Sequence, residues 1–472
     1  MFISRRNILK ASVAAPFIAT TARAADKISI RIDPRNSLRK IPRDFMGLGY
    51  ESSSAAMPGL LSRDNHSYVQ LVRNLGQQGV IRVGGNVSDF STYDADGQAA
   101  WQPKATTLTA KNLRQLRSFL DATGWNLIWG LNLGYDKLDN AVEEARAVVE
   151  AIGPRLLAME IGNEPDLFPR SGHRSGPYDY AAWHAEYRRY KAAIRAVLPQ
   201  VKFAGPDIAI SDNVSWVESF GRDERDDVAV LTAHHYIGGQ ANPATSIELM
   251  LQEEKKYQPI LARLQAASEQ SRIPYRICET ASFSGGGREG VSDTFAAALW
   301  ALDYLFVLAS YGCGGVNMET GVNHLGWISH YTPIGDDLKG HYNAAPEYYG
   351  LLAFAQAGHG DLIGVVRDPT DINLTAYAVN QAPGQSVLTV INKDFSRDAA
   401  MEVKAPFPLK QAHVSRLTGP SMTAKDGITL GGGAVSPNVA WAGGRFERIE
   451  ISDGAVHLNV PAGSAAIVRL GT

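Results

Sequence analysis

Two glutamates, each at the end of an apolar run, are the residues of this chain whose type and position best suit chemistry. Glu164 lies in residues 159–166 and Glu279 in residues 275–280. Such runs, followed by turn-forming residues, are typical of buried parallel strands, where a carboxylate costs desolvation and adds nothing to a core. Glycoside cleavage requires two carboxyl groups, because one protonates the leaving oxygen while the other attacks the sugar or activates water. We therefore predict that Glu164 and Glu279 form a catalytic pair at one end of a barrel.

Short apolar strands alternate with amphipathic helices on both sides of these glutamates. The predicted strands are residues 45–50, 80–85, 126–133, 156–164, 202–207, 230–236, 275–279 and 315–319. A helical pattern follows each strand, and the last helix begins at Pro346. Eight strand–helix units predict the α/β class and a (β/α)8 TIM barrel over residues 41–360. Glu164 and Glu279 then end strands four and seven, on the face where such barrels carry their active sites.

From about residue 361 the pattern changes to short strands separated by Gly, Pro and Asp turns. Residues 374–380, 386–392, 455–460 and 465–470 have this character. They predict a C-terminal all-β sandwich domain over residues 361–472, which we regard as accessory and without chemistry of its own. Residues 28–32 alternate apolar and charged side chains like a half-buried strand. Because they precede the barrel pattern, residues 25–40 are predicted to contribute a strand to another domain.

The first 24 residues have the three parts of an export signal. A basic region with Arg5 and Arg6 precedes an Ala-rich apolar run, and Ala22-Arg23-Ala24 provides a small-residue cleavage site. Paired arginines are typical of the twin-arginine route, which exports folded proteins. We therefore expect a mature chain that begins near Ala25 and is periplasmic or secreted. A frayed N-terminal helix is the alternative.

Composition narrows the remaining classes of function. A formal net charge of -2 gives no electrostatic surface for nucleic acid or for membranes. The most apolar helical pattern, residues 294–310, is too short for a membrane span and contains Asp303. No nucleic-acid partner is expected, and no membrane association once the signal is removed.

The two cysteines, Cys278 and Cys313, admit two interpretations. An exported protein can keep a disulfide. Cys278, however, lies within the strand that carries Glu279, and this position favours buried free thiols. No metal-ligand spacing includes either cysteine.

Polar residues beside the predicted strand ends are candidates for binding a sugar. Asn163 precedes Glu164 and can hold a sugar hydroxyl, although a helix N-cap is the alternative. Tyr236 ends strand six and can hydrogen-bond the nucleophile. Glu51 ends strand one and is a further candidate for contact with the substrate.

His234 and His235 are adjacent in strand six. Neighbouring residues of a strand point to opposite faces, so the two cannot easily ligate one metal ion. We predict that a histidine lines the sugar pocket and assign His235 to it, while packing in the core is equally compatible with each. No metal and no cofactor are expected.

A glycine run after Glu279 and two aromatic residues complete the candidate site. Gly285 and Gly286 follow Ser284, and their backbone N–H groups can bind the substrate. The run matches G-x-G-x-x-G only formally, because it follows the second glutamate instead of opening a first βαβ unit, so dinucleotide binding is not expected. Trp327 and Tyr331 follow strand eight. Their rings suit sugar faces, and surface packing is the common alternative.

These stretches resemble glycoside hydrolase family 79, the β-glucuronidase and heparanase family. The matching segments are residues 47–51, 80–89, 125–134, 160–168, 234–236, 279–305 and 331–349, which cover most of the barrel. The resemblance implies a retaining enzyme that removes terminal β-linked uronic acid or its derivatives from a carbohydrate or glycoconjugate. It also implies that Glu164 is the acid/base, that Glu279 is the nucleophile, and that residues 28–32 join the C-terminal sandwich.

One position departs from the family pattern. The family has a tyrosine directly before the glycine run, where it helps to hold the uronic carboxylate, and this chain has Ser284. A β-glycosidase for a neutral or substituted sugar, such as a β-glucoside, is therefore the alternative. A non-catalytic carbohydrate-binding protein is the alternative from another class, and the presence of both Glu164 and Glu279 argues against it.

Overall fold

Eight parallel strands close into a barrel in the order in which they follow along the chain. The computed structural model describes residues 27–98, 102 and 104–472. The expected export signal over residues 1–24 lies outside the described residues. The longer strands are β1 (Ile28–Ile41), β2 (Gly47–Glu51), β3 (Val80–Gly84), β4 (Asn126–Leu131), β5 (Leu156–Ile161), β6 (Phe203–Ile208), β7 (Val228–Gly239), β8 (Tyr275–Ser284), β9 (Val316–Glu319), β10 (Gly360–Arg367), β11 (Leu374–Ala382), β12 (Gln385–Asn392), β13 (Ala399–Lys404), β14 (Gln411–Thr418), β15 (Ala455–Val460) and β16 (Ser464–Gly471). Strands β2–β9 form the barrel, and β9 pairs with β2 to close it.

A helix follows each barrel strand. These helices are α1 (His66–Asn74), α2 (Ala110–Thr123), α3 (Leu138–Ile152), α4 (Tyr180–Val197), α5 (Val214–Asp223), α6 (Gln258–Ser271), α7 (Phe295–Ser310) and α8 (Pro346–Ala357). Shorter elements lie in the connections: helical turns at Ser52–Ala56, Gly85–Ser88, Gly153–Arg155, Pro165–Leu167, Phe168–Ser171, Ser211–Asn213 and Ile247–Met250, and strands at Thr92–Tyr93, Thr107–Leu108, Ile334–Asp336, Tyr342–Ala344, Thr429–Leu430, Glu447–Arg448 and Ile451–Ser452. The predicted (β/α)8 barrel is confirmed.

Strands β7 and β8 are longer than the other barrel strands, and their extra length builds one wall of the catalytic face. Their pairing continues past Glu279 to Phe283 opposite Gly238 and Ser284 opposite Gly239. The two strands therefore project beyond the rim of the barrel as a ribbon. The ribbon brings the turn that follows Ser284 next to the cavity described below.

The C-terminal strands curl around a second apolar core. Hydrogen bonding runs through Thr429–Leu430, β14, β16, β12, β11, β10, β1, β13, β15 and Ile451–Ser452 without a break. Strand β1 lies between β10 and β13, antiparallel to the first and parallel to the second. The predicted sandwich is thus one continuous curled sheet, whose two halves face each other across buried residues such as Ile30, Leu388 and Val403.

The sheet and the barrel share helices α7 and α8. Strand β12 is buried on both faces, because Leu388 and Val390 face the core of the sheet while Val387 and Ile391 face the core of the barrel. No helix of the described residues is both long and apolar enough to cross a membrane. Cys278 and Cys313 are buried free thiols, as the sequence favours.

Helix α8 contains a buried carboxyl group, that of Glu347, which makes the stability of the protein depend on pH. Glu347 is 1% exposed, and neither of its carboxyl oxygens has a hydrogen-bond partner among the described residues. Burial raises the pKa of Glu347 well above its ordinary value. Above the ordinary glutamate pKa, the unfolded chain loses the proton of Glu347 while the native state keeps it. The free energy of unfolding therefore decreases as the pH rises from mildly acid values.

We expect Glu347→Gln, which cannot ionise, to raise the melting temperature relative to the wild type more at about pH 8 than at about pH 5. Thermal unfolding followed by circular dichroism measures both shifts. Glu143→Gln, at an exposed position of α3, is the control and should show no such pH dependence. Equal shifts of Glu347→Gln at the two pH values would contradict the prediction.

Candidate active site

A cavity of about 740 Å³ opens at the C-terminal ends of the barrel strands. Its walls come from the ends of β2, β5, β7, β8 and β9, from the loops that follow them, and from the segments that follow β3 and β6. The lining residues are Glu51, Asn86, Glu164, Leu167, Arg170, Ala209, Ile210, Ser211, Tyr236, Gly238, Gly239, Glu279, Ser284, Gly285, Glu319, Thr320, Val322, Asn323, His324, Ser329 and Tyr331. Glu164 and Glu279, predicted from two distant stretches, therefore meet in one cavity.

The guanidinium of Arg82 connects the groups beneath this cavity. Arg82 lies in β3, and its side chain is fully buried. Its Nε donates to Oε2 of Glu160 (2.9 Å), its Nη1 to Oε2 of Glu279 (2.9 Å), and its Nη2 both to Oδ1 of Asn163 and to Oδ2 of Asp207 (2.8 Å each). One cation on β3 thereby connects residues from three other barrel strands or their ends, β5, β6 and β8. Such a planar fork of donors is available only from arginine.

His234 is the second buried cation of the site. Its Nδ1 lies 3.0 Å from Oε1 of Glu164 and 3.8 Å from Oε2 of Glu279, and its Nε2 lies 3.2 Å from Oδ1 of Asp207. Burial alone would lower the pKa of His234, but the carboxylates of Glu279 and Asp207 outweigh burial and raise it well above its ordinary value. The imidazolium therefore donates a hydrogen bond to Glu164 while its charge stabilises Glu279.

The two candidate catalytic carboxyls are tuned in opposite directions. Burial, reinforced by the negative charge of Glu279, raises the pKa of Glu164 despite its bond to His234. Burial would also raise the pKa of Glu279, but His234, Arg82 and the hydroxyl of Tyr236, which donates to its Oε1 at 2.9 Å, together lower it. Glu164 is thus held as an acid and Glu279 as an anion. This is the pairing that a proton donor and a nucleophile require.

The pKa values of Glu160 and Asp207, which lie below the catalytic pair, are also shifted in opposite directions. Burial, and then the charge of Asp207, raises the pKa of Glu160 to about 8. Burial would raise the pKa of Asp207, but Arg82 and His234 outweigh it and lower that pKa instead. With Glu160 and Glu164 neutral, the cations Arg82 and His234 are balanced by the anions Asp207 and Glu279.

The loops after β5 and β6 fix the position of Glu164. Its φ of 50° is in the left-handed region, where a non-glycine residue is strained and tends to mark a functional site. The N–H of Glu164 donates to the carbonyl of Asp207 at 3.0 Å. Two residues on, the carboxylate of Asp166 accepts from the backbone N–H groups of Ala209 and Ile210 at 2.9 and 3.0 Å. These bonds hold the strained residue with its side chain towards the cavity.

Oxygen atoms of the two candidate catalytic carboxyls are close together. One oxygen of Glu164, one of Glu279 and a ring nitrogen of His234 all lie within 4.8 Å of one another. Retaining glycosidases place their two carboxyl groups about 5–5.5 Å apart, whereas inverting enzymes leave about 6.5–9.5 Å for a water molecule. The observed proximity fits the shorter arrangement.

Most of the predicted binding residues lie at the cavity. Glu51 accepts from the N–H of Val87 at 2.8 Å and lies 3.6 Å from Nδ1 of His324. Ser284, Gly285, Tyr236 and Tyr331 also line the cavity.

Asn163 lies beneath the cavity and not on its surface. It is 4% exposed, and its amide oxygen accepts from Arg82. Its Nδ2 has no partner among the described residues, so a donor remains next to Glu164.

Besides Asn163, three predicted binding residues do not line the cavity. The ring of His235 stacks on Tyr257 at 3.4 Å, and its Nε2 lies 2.8 Å from Oε2 of Glu254. Gly286 and Trp327 pack against each other, since a Cβ on Gly286 would lie 2.3 Å from the indole ring. The histidine of the site is therefore His234, because alternation along β7 places it on the same face as Tyr236.

Three residues of the candidate site, Arg82, Glu319 and His324, are absent from the sequence prediction, and His234 was considered there but not assigned to the site. The signal for Arg82 was its position within an otherwise apolar strand, where an unpaired charge would be costly. Glu319 is the last residue of β9, which is the position that the sequence predicted for Glu164 and Glu279 in their strands. The same rule that selected the catalytic pair would therefore have selected Glu319.

Comparisons with known proteins agree with this geometry. Residues 372–467 match the family model for the glycosyl hydrolase family 79 C-terminal beta domain. A beta-glucuronidase from Aspergillus niger is 27% identical over 480 residues, which cover 87% of this chain and 88% of that protein. A heparanase from Mus musculus is 22% identical over 76% of each chain.

The fold has solved counterparts. A 4-O-alpha-L-rhamnosyl-beta-D-glucuronidase from Fusarium oxysporum superposes with a TM-score of 0.76 at 20% identity, covering 93% of this chain and 99% of that one. The barrel, its paired carboxyls and these similarities define a glycoside hydrolase. The chain is similar to members of glycoside hydrolase family 79 over most of its length, and residues 372–467 match the C-terminal domain of that family.

The contacts of Arg82 generate a prediction. Lysine cannot reproduce four hydrogen bonds from one planar group, so Arg82→Lys leaves at least one buried charged partner without its donor, at a cost of about 2–3 kcal/mol. The pKa of Glu279 should rise as well, because it loses a neighbouring donor. We expect a lower free energy of unfolding in denaturant titration and an acid limb of kcat/KM that moves to higher pH.

Arg276→Lys is the matched control for this change. Arg276 is also buried, but it donates to Asn317 and to backbone carbonyls, among them that of Phe45 at the opposite end of the barrel. It should lose stability without a shift of the acid limb. If the acid limb of kcat/KM moves equally in both variants, the shift follows from lost stability and not from the contact between Arg82 and Glu279.

Proposed function

We propose that this protein is a retaining β-glycosidase of the glucuronidase type, which removes a terminal β-linked uronic acid or its derivative from a carbohydrate. The observation that carries the proposal is the opposite tuning of two carboxyl groups whose oxygens lie within 4.8 Å. The names of the Aspergillus niger relative and of the Fusarium oxysporum structure support the glucuronidase type.

In the first step, the carboxylate of Glu279 attacks the anomeric carbon and Glu164 gives its proton to the leaving oxygen. The glycosidic C–O bond breaks while a bond forms between that carbon and a carboxylate oxygen of Glu279. Tyr236 and Arg82 hold the carboxylate of Glu279 by one oxygen each, which fixes its orientation for attack.

In the second step, water replaces Glu279 at the anomeric carbon. The covalent bond has removed the negative charge of Glu279, which was one of the causes that raised the pKa of Glu164. Glu164 therefore ionises more readily in the intermediate and accepts a proton from the attacking water. Two inversions at one carbon return the original anomeric configuration.

The sugar ring would lie against the wall formed by the β7–β8 ribbon. Ser284 and Gly285 line that side, and Tyr331 faces it with a ring 6.3 Å from that of Tyr236. Donors of this kind replace the water that a uronic carboxylate loses on entry.

A neutral glycone is the second candidate, and one observation favours it. Glu51, Glu164, Glu279 and Glu319 all line the cavity, whereas its basic lining residues are Arg170 and His324. Together with Ser284 in place of tyrosine, this composition is less favourable to an anionic sugar. A non-catalytic binding protein is disfavoured because such a protein has no need of carboxyls tuned apart in this way.

Replacement of Glu279 and replacement of Glu164 should reduce activity in different ways. Glu279→Ala removes the nucleophile, so turnover should be lost and partly restored by azide, which attacks from the vacated side. Glu164→Ala should lower kcat/KM by about 10²–10⁴-fold for substrates with poor leaving groups. Aryl glycosides of acidic phenols should lose much less in the first step.

Initial rates with a series of aryl glycosides measure these differences, and NMR of the first product shows its anomeric configuration. Glu144→Gln is the control, since it alters a buried carboxyl that bonds Trp129 away from the cavity. One leaving-group profile shared by both catalytic variants, or an inverted first product, would overturn the assignment.

The glycone can be tested at Ser284. We expect the wild type to cleave an aryl β-glucuronide, and Ser284→Tyr to increase kcat/KM for the glucuronide relative to the matching β-glucoside by about ten- to hundredfold, the worth of one hydrogen bond to a charged group. An unchanged ratio would remove Ser284 as the determinant. Cleavage of the glucoside without any cleavage of the glucuronide would establish the neutral glycone instead.

A further inference from the structure

The cavity contains a fourth carboxyl group that the reaction steps above do not use. Glu319 ends β9, is 7% exposed, and lines the cavity together with Glu51 and the catalytic pair. Each of the other three carboxyls has a donor, because Arg82 and Tyr236 bond Glu279, the N–H of Val87 bonds Glu51 and His234 bonds Glu164. Within the described part of the chain, the buried Oε2 of Glu319 has none.

The barrel makes specific room for this side chain. Glu319 lies opposite Gly49 in the pairing of β9 with β2. A Cβ on Gly49 would come within 2.9 Å of Oε2 of Glu319. The carboxyl group therefore lies over bare backbone inside the barrel mouth and is not turned towards solvent.

We propose that Glu319 is a specificity-determining residue that binds the glycone as a neutral carboxylic acid, with its O–H donating to the sugar's carboxylate. The inference rests on the proposed function, in which the glycone is a uronic acid. A neutral acid here gives the cavity a donor where a fourth carboxylate would repel the substrate.

The surroundings of Glu319 keep the proton on it. Burial, followed by the charges of Glu279 and Glu51, raises the pKa of Glu319 well above its ordinary value. Arg82 and His234 act in the opposite direction and are outweighed. The charged or titratable groups that face Glu319 are Tyr50 and Glu51 on β2, Arg82 on β3, His234 and Tyr236 on β7, Glu279 on β8, and Tyr331 in the loop after β9.

The proton on Glu319 should make substrate binding depend on pH in a way that reports the charge of the sugar. As the pH rises, ionised Glu319 would place a negative charge beside an anionic glycone inside a closed cavity. KM for a glucuronide should then increase. KM for the matching glucoside should not, because a neutral hydroxyl can donate to the carboxylate as readily as it accepts from the acid.

The test compares KM for an aryl β-glucuronide and the matching aryl β-glucoside from about pH 5 to about pH 9 in three proteins. In the wild type, KM for the glucuronide alone should increase at alkaline pH, by about tenfold or more. Glu319→Gln keeps a donor and cannot ionise, so its KM for the glucuronide should stay near the low-pH value throughout. Glu347→Gln removes a buried carboxyl outside the cavity and should retain the wild-type profile.

Three results would overturn the proposal. The first is a wild-type KM for the glucuronide that does not change with pH. The second is a KM for the glucuronide that still increases with pH in Glu319→Gln. The third is an equal increase of KM with pH for the glucuronide and the glucoside. If the wild type cleaves no glucuronide at any pH, the proposed function fails together with this inference. Cleavage with a pH-independent KM overturns the role of Glu319 alone.

A measurement on the wild type keeps the test decisive if Glu319→Gln does not fold. Free glucuronic acid and glucose serve as competitive inhibitors across the same pH range. The proposal predicts that the inhibition constant of glucuronic acid increases with pH while that of glucose stays constant. Parallel behaviour of the two inhibitors would overturn it.

Discussion

A single buried arginine connects most of the ionisable groups beneath the cavity. The guanidinium of Arg82 is fully buried and contacts Glu160, Asn163, Asp207 and Glu279. A buried ion cluster is not in itself a source of stability, because desolvation of its members offsets much of their attraction. What the cluster provides is an unequal distribution of charge. His234 and Arg82 outweigh burial and lower the pKa of Glu279, whereas burial and the charge of Glu279 raise the pKa of Glu164.

The barrel brings the residues of the site together. Groups that are far apart in the chain come from neighbouring strands, and their C-terminal ends meet around one mouth. The extension of β7 and β8 carries the turn at Ser284 above that mouth. The bonds of Asp166 to the loop after β6 hold Glu164 in its strained conformation. A relatively rigid scaffold thus supports groups whose separation decides between retention and inversion.

The parts of this architecture that repeat along the sequence could be predicted from it. The alternation of strands and helices and the glutamates at strand ends follow from local patterns, and the structure has the predicted barrel. The face to which a polar residue of a buried strand points was harder to predict. His234 and His235 are flanked by apolar residues on both sides, so the pattern around them does not distinguish inside from outside. Only the alternation of side chains along the strand, which places His234 on the same face as Tyr236, distinguishes them.

Contacts between distant segments could not be predicted in this way. The four partners of Arg82 come from three strands or their ends, which are distant from it in the sequence, and no local pattern reports them. The packing of Trp327 on Gly286 depends on a loop conformation with three consecutive glycines at positive φ, at residues 285–287. The continuous pairing of the C-terminal strands through β1 depends on register between the two ends of the chain. Short-range periodicity carries no information on any of these.

We infer that the resting enzyme holds Glu279 ionised and Glu164 protonated. The most direct measurement is a pH titration of the protein labelled with ¹³C at its glutamate carboxyls, with Glu164→Gln and Glu279→Gln used to assign the two signals by NMR. We expect the pKa of Glu279 to lie below the ordinary glutamate value and that of Glu164 to lie above it. When Glu279 is replaced, the titration of Glu164 should shift to lower pH. Two carboxyls that titrate together near the ordinary value, or in the reverse order, would contradict this inference.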